Sequence, residues 1–223
     1  MKAAHATRFR QAGRWVAVAL AAIGYSLLAH RAAAAATPDA LDAMVAVVPL
    51  LGLAFLMAWR SPQRPLMLAL CLVPCAGLYA TRSWFVTHFH WILLLQHVGM
   101  YALLAVAFGR TLRAGRTPIV TGFAALVHRT LSPALLSYTR SVTWAWTLYF
   151  SGTVALSLLL FWLAPTAVWS TFANLLDIPL LVLMFAAEYA VRCLVLAPAD
   201  RAGPLEAIRA WRQASSRSTA HQP

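Results

Sequence analysis

Charged residues are scarce in this sequence. Asp, Glu, Lys and Arg together make up 11% of its 223 residues, whereas a soluble domain contains about 25%. Hydrophobic residues make up 61%, which is more apolar surface than a soluble protein of this length can bury. The composition therefore argues against a soluble globular protein and predicts one whose surplus apolar surface faces lipid.

Acidic residues are especially few, six against 18 basic ones. In a soluble protein this excess of positive charge would favour nucleic-acid binding. Here the basic residues lie between apolar stretches, so we expect them to orient the chain in a membrane and expect no nucleic acid. Cysteine is scarce too, and Cys71, Cys75 and Cys193 form no cluster typical of zinc. We therefore expect neither a metal nor a cofactor.

Familiar catalytic motifs are missing. The sequence has no glycine-rich phosphate loop, no nucleophile elbow and no His-x-x-x-His pair. None of His88, His90, His97 and His128 is followed four residues later by an aspartate, as the acyltransferase signature requires. These absences weigh against a conventional enzyme and leave the question of catalysis open.

Six apolar runs predict an all-α bundle of about six transmembrane helices. They form a single membrane domain over residues 1–223, with spans at about 15–30, 41–59, 65–81, 84–108, 141–163 and 168–191. Basic residues precede the first span and the alanine run Ala32–Ala36 follows it. A cleavable signal peptide has the same arrangement, so the first span is either a retained helix, which we favour, or a removed leader.

The connections between these spans differ in charge. One alternating set, which includes both termini, contains 16 of the 18 basic residues, and the opposite set has only Arg31 and Arg82. By the positive-inside rule both termini, the connection 109–140 and the tail 193–223 are cytoplasmic. Lysine occurs only at Lys2, and such arginine- and alanine-rich usage is typical of a GC-rich bacterial gene. The sequence thus predicts a multi-pass protein of the bacterial inner membrane.

The cytoplasmic connection 109–140 has its own pattern. Arg110, Arg113 and Arg116 lie in its first part. Pro118 and Pro133 are expected to break the connection into short pieces. The piece from Ile119 to His128 is apolar enough to lie at the membrane surface as a short amphipathic helix. Two interpretations stay open: a connector whose arginines contact lipid phosphates, or a docking or headgroup-binding site.

Several short motifs follow one another in the second half of the chain. They are Phe108-Gly109-Arg110-Thr111-Leu112, Gly115-Arg116-Thr117-Pro118, Leu131-Ser132-Pro133, Tyr138-Thr139-Arg140, Thr143-x-Ala145-Trp146, Trp169, Phe172-Ala173-Asn174, Pro179-Leu180 and Phe185-x-x-Glu188-Tyr189-x-x-Arg192. Through them residues 105–195 resemble small polytopic membrane proteins encoded in bacterial aryl-polyene (xanthomonadin-type) pigment gene clusters. The resemblance implies a role in making or placing a polyene acyl lipid, beside acyl carrier proteins, ketosynthases and acyltransferases. It implies no catalytic mechanism.

The sixth span contains two acids, Asp177 and Glu188, which are costly within a membrane and are therefore functional candidates. They lie 11 residues apart and share a helix face, with Asn174 one turn from Asp177. We expect these three side chains, Asn174, Asp177 and Glu188, either to hold helices together through hydrogen bonds or to form part of a functional site. A cluster of Glu188 with Arg140 and Arg192 would lock two spans or bind a phosphate or carboxylate.

Polar residues also recur along the fourth span, which contains His88, His90, Gln96, His97 and Tyr101. His97 is predicted at about the depth of Asp177, and their contact would form a proton relay or general-base pair. Two histidines with one acid would also permit a metal site, and a histidine satisfied by packing is the third interpretation. The catalytic candidates are thus His97, Asp177 and Glu188, while His88 and His90 are expected at the interface.

Three functions remain open. We favour an inner-membrane accessory protein of aryl-polyene-type acyl lipid biosynthesis. It would dock cytoplasmic enzymes or an acidic acyl carrier protein. The arginines expected to bind are Arg110, Arg113, Arg116, Arg140 and Arg192. The alternatives are a transporter or flippase for the lipid product, although no internal repeat supports it, and an intramembrane acyl- or glycosyltransferase. Membrane lipid is an expected partner in each case.

Overall fold

A computed structural model describes residues 2–35, 39–128, 130–197 and 200, and this part of the chain contains helices and no strand. The helices are α1 (Lys2–Ala34), α2 (Ala40–Arg60), α3 (Arg64–Ala80), α4 (Arg82–Thr87), α5 (Phe89–Gly109), α6 (Ile119–Val127), α7 (Pro133–Leu163), α8 (Thr166–Ser170) and α9 (Asp177–Val195). A 3-10 turn, Arg110–Leu112, follows α5, and a π-helical segment, Thr171–Leu176, joins α8 to α9. The predicted all-α class is confirmed. Most of the predicted tail 193–223, and Arg129, lie outside the described residues.

Four helices in the described part of the chain are long and apolar enough to cross a membrane. They are Val16–Ala34, Phe89–Leu112, Pro133–Leu163 and the continuous stretch Thr166–Val195. The other two predicted spans, at 41–59 and 65–81, correspond to α2 and α3, whose apolar parts Val47–Arg60 and Arg64–Ala80 are shorter. By length and composition the chain is therefore a helical membrane protein with four clear spanning helices.

The predicted fourth span, 84–108, is not continuous. His88 separates α4 from α5, and its backbone (φ −103°, ψ 16°) leaves the helical region. Its Nδ1–H donates to the carbonyl of Trp84 at 2.9 Å, and its ring stacks on the Trp84 indole. This local contact with Trp84 accompanies the break, so the spanning part of this segment begins at Phe89.

The predicted connection 109–140 also ends early, because α7 begins at Pro133. We expected Pro133 to break the chain into short pieces. Instead it occupies the first helical position, where the missing N–H costs nothing. Ser132 precedes it, and its Oγ accepts the N–H of Leu135 at 3.1 Å, which is the usual bond of an N-cap serine. Residues 133–140 are thus the first two turns of a spanning helix.

The chain divides into two compact units. The first consists of Met1–His97 and Ser157–Ile178. In it α1 packs against α8 and the π-helical segment, and Ala29, Ala32 and Ala33 are buried. Small side chains at a helix contact let two backbones approach closely, so the alanine run of the sequence is a packing surface.

The second unit consists of Val98–Leu156 and Pro179–Pro223, and its described part ends at Asp200. Its core is rich in aromatic residues. The buried members are Tyr101, Leu135, Tyr138, Val142, Trp146, Phe150 and Leu196. Trp146 of α7 also meets Phe185 of α9, with ring centroids 4.6 Å apart. These contacts hold α5, α7 and α9 together within this unit.

Candidate functional site

His97 of α5 stands between a serine and an acid in the first unit. Its Nδ1 lies 3.1 Å from Oγ of Ser157, and its Nε2 lies 3.6 Å from Oδ1 of Asp177. The side chains of His97 and Asp177 are only 9% and 17% exposed, and Ser157 is fully buried. The contact expected between His97 and Asp177 is present, while its function stays a prediction.

Ser157 is held from another side by Trp169, which is also fully buried. The indole Nε1–H donates to Oγ of Ser157 at 3.0 Å. Because an indole N–H can only donate, the serine oxygen must accept. An imidazolium at His97 would donate from Nδ1 to the same oxygen. Ser157 and Trp169 therefore fix the orientation of the His97 ring, and sequence reasoning missed both of them in this role.

Asp177 follows the π-helical segment Thr171–Leu176. Pro179, two residues further on, has no N–H and cannot bond the carbonyl one turn before it, and a wider turn is one way in which a helix accommodates such a defect. Phe172 of this segment lies edge-on to the His97 ring, with centroids 5.9 Å apart. Single π turns often occur at functional sites, and here one directly precedes the acid.

A second set of polar contacts in the first unit includes Asn174. Its Nδ2 donates to the carbonyl and to Oγ of Ser170, both at 3.2 Å. That Oγ lies 2.9 Å from Nδ1 of His30 on α1. Asn174 therefore links helices through Ser170. His90, expected to be interfacial, donates from Nε2 to the carbonyl of Ala33 at 3.1 Å, so it also contacts α1.

Glu188 pairs with Arg192, one turn later on α9, in the second unit. Arg192 Nη2 lies 2.7 and 2.8 Å from the two carboxylate oxygens, and its Nε lies 3.1 Å from Oε1. Tyr138 of α7 donates from its hydroxyl to Oε1 at 2.9 Å. Arg140 was expected in this cluster, but that prediction is wrong: its Nη2 donates to the carbonyl of Leu112 at 3.0 Å. The contact with Glu188 that we expected from Arg140 is made by Tyr138.

A cleft of about 80 Å³ lies beside this pair. Its lining is mainly apolar and includes Val120, Phe123, Ala124, Val127, Leu135 and Leu196, with Tyr138, Thr139, His128, Arg192 and Asp200 as the polar members. Small-molecule pockets commonly measure about 300–1,000 Å³. The cleft is therefore too small to serve, in this form, as a site for a whole substrate.

Arg110, Arg113 and Arg116 are exposed on the connection between α5 and α6, residues 110–118, which we call the arginine loop. Thr111 fixes this loop, because its Oγ1 donates to a carbonyl of α5 at 2.7 Å and accepts the first N–H of α6 at 3.1 Å. Gly115 has φ +76°, a conformation that glycine adopts without strain. The three cations are thus presented on an ordered turn.

The part of the chain that the structure describes contains no arrangement of side chains suited to binding a metal ion. No three His, Cys, Asp or Glu side chains there lie close enough to hold a metal ion. Of the histidines along the predicted fourth span, His90 uses its Nε2 to bond the carbonyl of Ala33.

Comparison of the chain with protein-family models, with curated proteins and with solved structures finds no match.

Proposed function

We propose that the protein spans the bacterial inner membrane with both termini and the arginine loop in the cytoplasm. The support is the distribution of charge, with 16 of 18 basic residues in one alternating set of connections. Six crossings require α2 and α3 to span as a pair, and the 17 residues of α3 reach the lower limit of about 17 for a spanning helix. If both helices stayed on the outer side of the membrane, the chain would cross four times, and both termini would still be cytoplasmic.

Within this topology we propose an accessory role in aryl-polyene-type acyl lipid biosynthesis. The protein would hold an acidic acyl carrier protein or other cytoplasmic enzymes at the membrane. The single observation that carries this proposal is the arginine loop: Arg110, Arg113 and Arg116 are exposed on a turn fixed by Thr111, and no acid occurs between residues 109 and 132. Such a cationic surface favours and steers an acidic partner.

The test measures binding of an aryl-polyene-cluster acyl carrier protein to the purified protein in nanodiscs. We expect affinity to fall as ionic strength rises from about 0.05 M to about 0.5 M, because the Debye length shortens and the charges are screened from one another. Replacing Arg110, Arg113 and Arg116 with Ser should weaken binding about tenfold, since each exposed charge pair contributes about 0.2–1 kcal/mol. The matched control replaces Arg14, Arg60 and Arg64, which are also exposed. Equal losses in the two triple variants would contradict a role specific to the loop.

A second candidate function rests on the His97–Asp177 pair. A histidine and an acid buried within spanning helices are suited to carrying a proton through a membrane, which would serve a transporter or flippase for the lipid product. The same pair would serve as a general base in an intramembrane acyl- or glycosyltransferase.

Product analysis separates these functions. In a strain producing Asp177→Asn or His97→Ala, normal lipid trapped in the inner leaflet would support transport, whereas an accumulating unmodified precursor would support an enzyme. Full output at the normal location in both variants would remove this second candidate and leave the docking proposal intact.

A further inference from the structure

Helix α6 buries its polar side chain and exposes two of its large apolar ones. Thr121 is buried, and its Oγ1 lies 2.7 Å from Oγ1 of Thr139, which is buried on α7. Phe123 and Leu126, in contrast, are 50% and 44% exposed. A helix on a water-facing surface presents polar side chains outward, whereas the exposed residues of α6, which are Gly122, Phe123, Ala125 and Leu126, include no polar one. The medium outside α6 is therefore expected to be apolar.

We infer that the outer face of α6 is a lipid-binding surface, immersed at the boundary between the headgroups and acyl chains of the bilayer, and that its partner is membrane phospholipid. No charged residue lies between Ile119 and Val127, so immersion desolvates no charge. The nine residues of α6 measure about 14 Å, too short to cross a hydrocarbon core of about 30 Å. An interfacial position is the one that satisfies both facts.

The neighbouring chain supports the same location. Short connections join α6 to α5 and to α7, both of which are long enough to span, so α6 cannot lie far from a membrane surface. Leu136, on the first turn of α7, is exposed as well and adds to the apolar surface. The exposed Arg113 and Arg116 directly precede α6, and the phosphates of anionic lipids are the anions available at that depth.

This inference goes beyond the docking role and does not depend on it. Phospholipid would cover α6, whereas an acidic protein would contact the arginine loop from the cytoplasm. The test therefore uses the full chain alone in nanodiscs of phosphatidylglycerol and phosphatidylcholine, one copy per disc, with no carrier protein present.

Single cysteines at Phe123→Cys and Leu126→Cys are compared with Ala114→Cys in a background where Cys71, Cys75 and Cys193 are alanine. Ala114 is the matched control, because it is exposed on the arginine loop. We expect a membrane-impermeant maleimide to label the two α6 positions about tenfold more slowly than position 114, as befits a face buried in the boundary region.

A second measurement identifies what shields the face. A polarity-sensitive fluorophore attached at each position should be quenched by lipids with a nitroxide near the top of the acyl chain at α6 and much less at position 114. Equal labelling rates would show a water-facing helix, and slow labelling without lipid quenching would show shielding by protein. Either result overturns the inference. If one variant fails to fold, Ala125→Cys, exposed on the same helix, replaces it.

Discussion

Nε2 of His97 lies 3.6 Å from Oδ1 of Asp177, while Nδ1 of the same ring lies 3.1 Å from the hydroxyl of Ser157. One imidazole thus joins a hydroxyl on α7 to a carboxylate at the start of α9. The order of the groups matters, because Ser157 also accepts the indole N–H of Trp169. A substitution at any one of these four residues should therefore disturb the contacts of the other three.

The first prediction concerns that coupling. Ser157→Ala leaves the buried N–H of Trp169 without its acceptor, so we expect a loss of about 1–3 kcal/mol in the free energy of unfolding. Ser141→Ala is the matched control, since Ser141 is exposed and its hydroxyl donates to the carbonyl of Ser137, in its own helix. Unfolding in mild detergent is followed by far-UV circular dichroism, which reports helix content and does not rely on tryptophan fluorescence.

A double-mutant cycle with Trp169→Phe sharpens this test. If the Ser157–Trp169 bond matters, the double variant loses less stability than the sum of the two single variants. Strict additivity would show that the bond contributes nothing measurable.

The second prediction concerns the pair Glu188–Arg192. Glu188→Gln removes the partner of a partly buried guanidinium and should cost about 1–2 kcal/mol, less than for a fully buried pair because the Arg192 side chain is 23% exposed. Tyr138→Phe should cost about 1 kcal/mol, because the hydroxyl that donates to Glu188 is lost. The double variant Glu188→Gln with Arg192→Gln should recover part of the first loss. Thermal unfolding in detergent measures all three, and a Glu188→Gln protein as stable as the parent contradicts the assignment.

The third prediction concerns the alanine surface of α1. Ala33→Leu places a larger side chain at a fully buried position of the first unit, and such overpacking costs about 1–3 kcal/mol. Ala21→Leu, at an exposed position of the same helix, makes the same chemical change without crowding. The midpoint of thermal unfolding should fall for Ala33→Leu and stay unchanged for Ala21→Leu. Equal midpoints would mean that α1 does not pack through this residue.

The fourth prediction concerns topology. A periplasm-dependent reporter inserted at Thr81 should be active and one inserted at Ala114 inactive, because the positive-inside rule puts them on opposite sides. Insertion at Gln63, between α2 and α3, decides between six crossings and four. An inactive reporter there requires both helices to span, and an active one requires both to stay on the outer side. Activity at Ala114 would reject the proposed orientation.

The sequence was sufficient for the helical class and for one side-chain contact. Apolar runs locate spanning helices because lipid leaves few alternatives, and counting depth along two such runs brought His97 level with Asp177. Ser157 and Trp169 gave no such signal. A serine or an indole within an apolar run has the same appearance whether it faces lipid or a neighbouring helix, and only helix rotation decides between them.

The errors have similar physical causes. A proline such as Pro133 predicts a break in a helix, although a proline directly after a serine is equally typical of a helix start. Arg140 was assigned to Glu188 because both lie near helix ends at similar depth, but depth does not fix direction. Its guanidinium instead donates to the carbonyl of Leu112, in the 3-10 turn after α5, and the hydroxyl of Tyr138 donates to the acid.

The π-helical segment has a consequence for the register of its helix. A turn that closes with an i→i+5 bond holds about one residue more than an α turn, which shifts everything after it by about 100° around the axis. Ser170, before the segment, meets His30 of α1, and Asp177, after it, meets His97 of α5. In an uninterrupted α-helix these two side chains would keep a different angular offset. Deleting one residue from Thr171–Leu176 would therefore break one of these two contacts and leave the other in place. The one extra residue in this segment thus determines whether the helix can contact α1 and α5 at the same time.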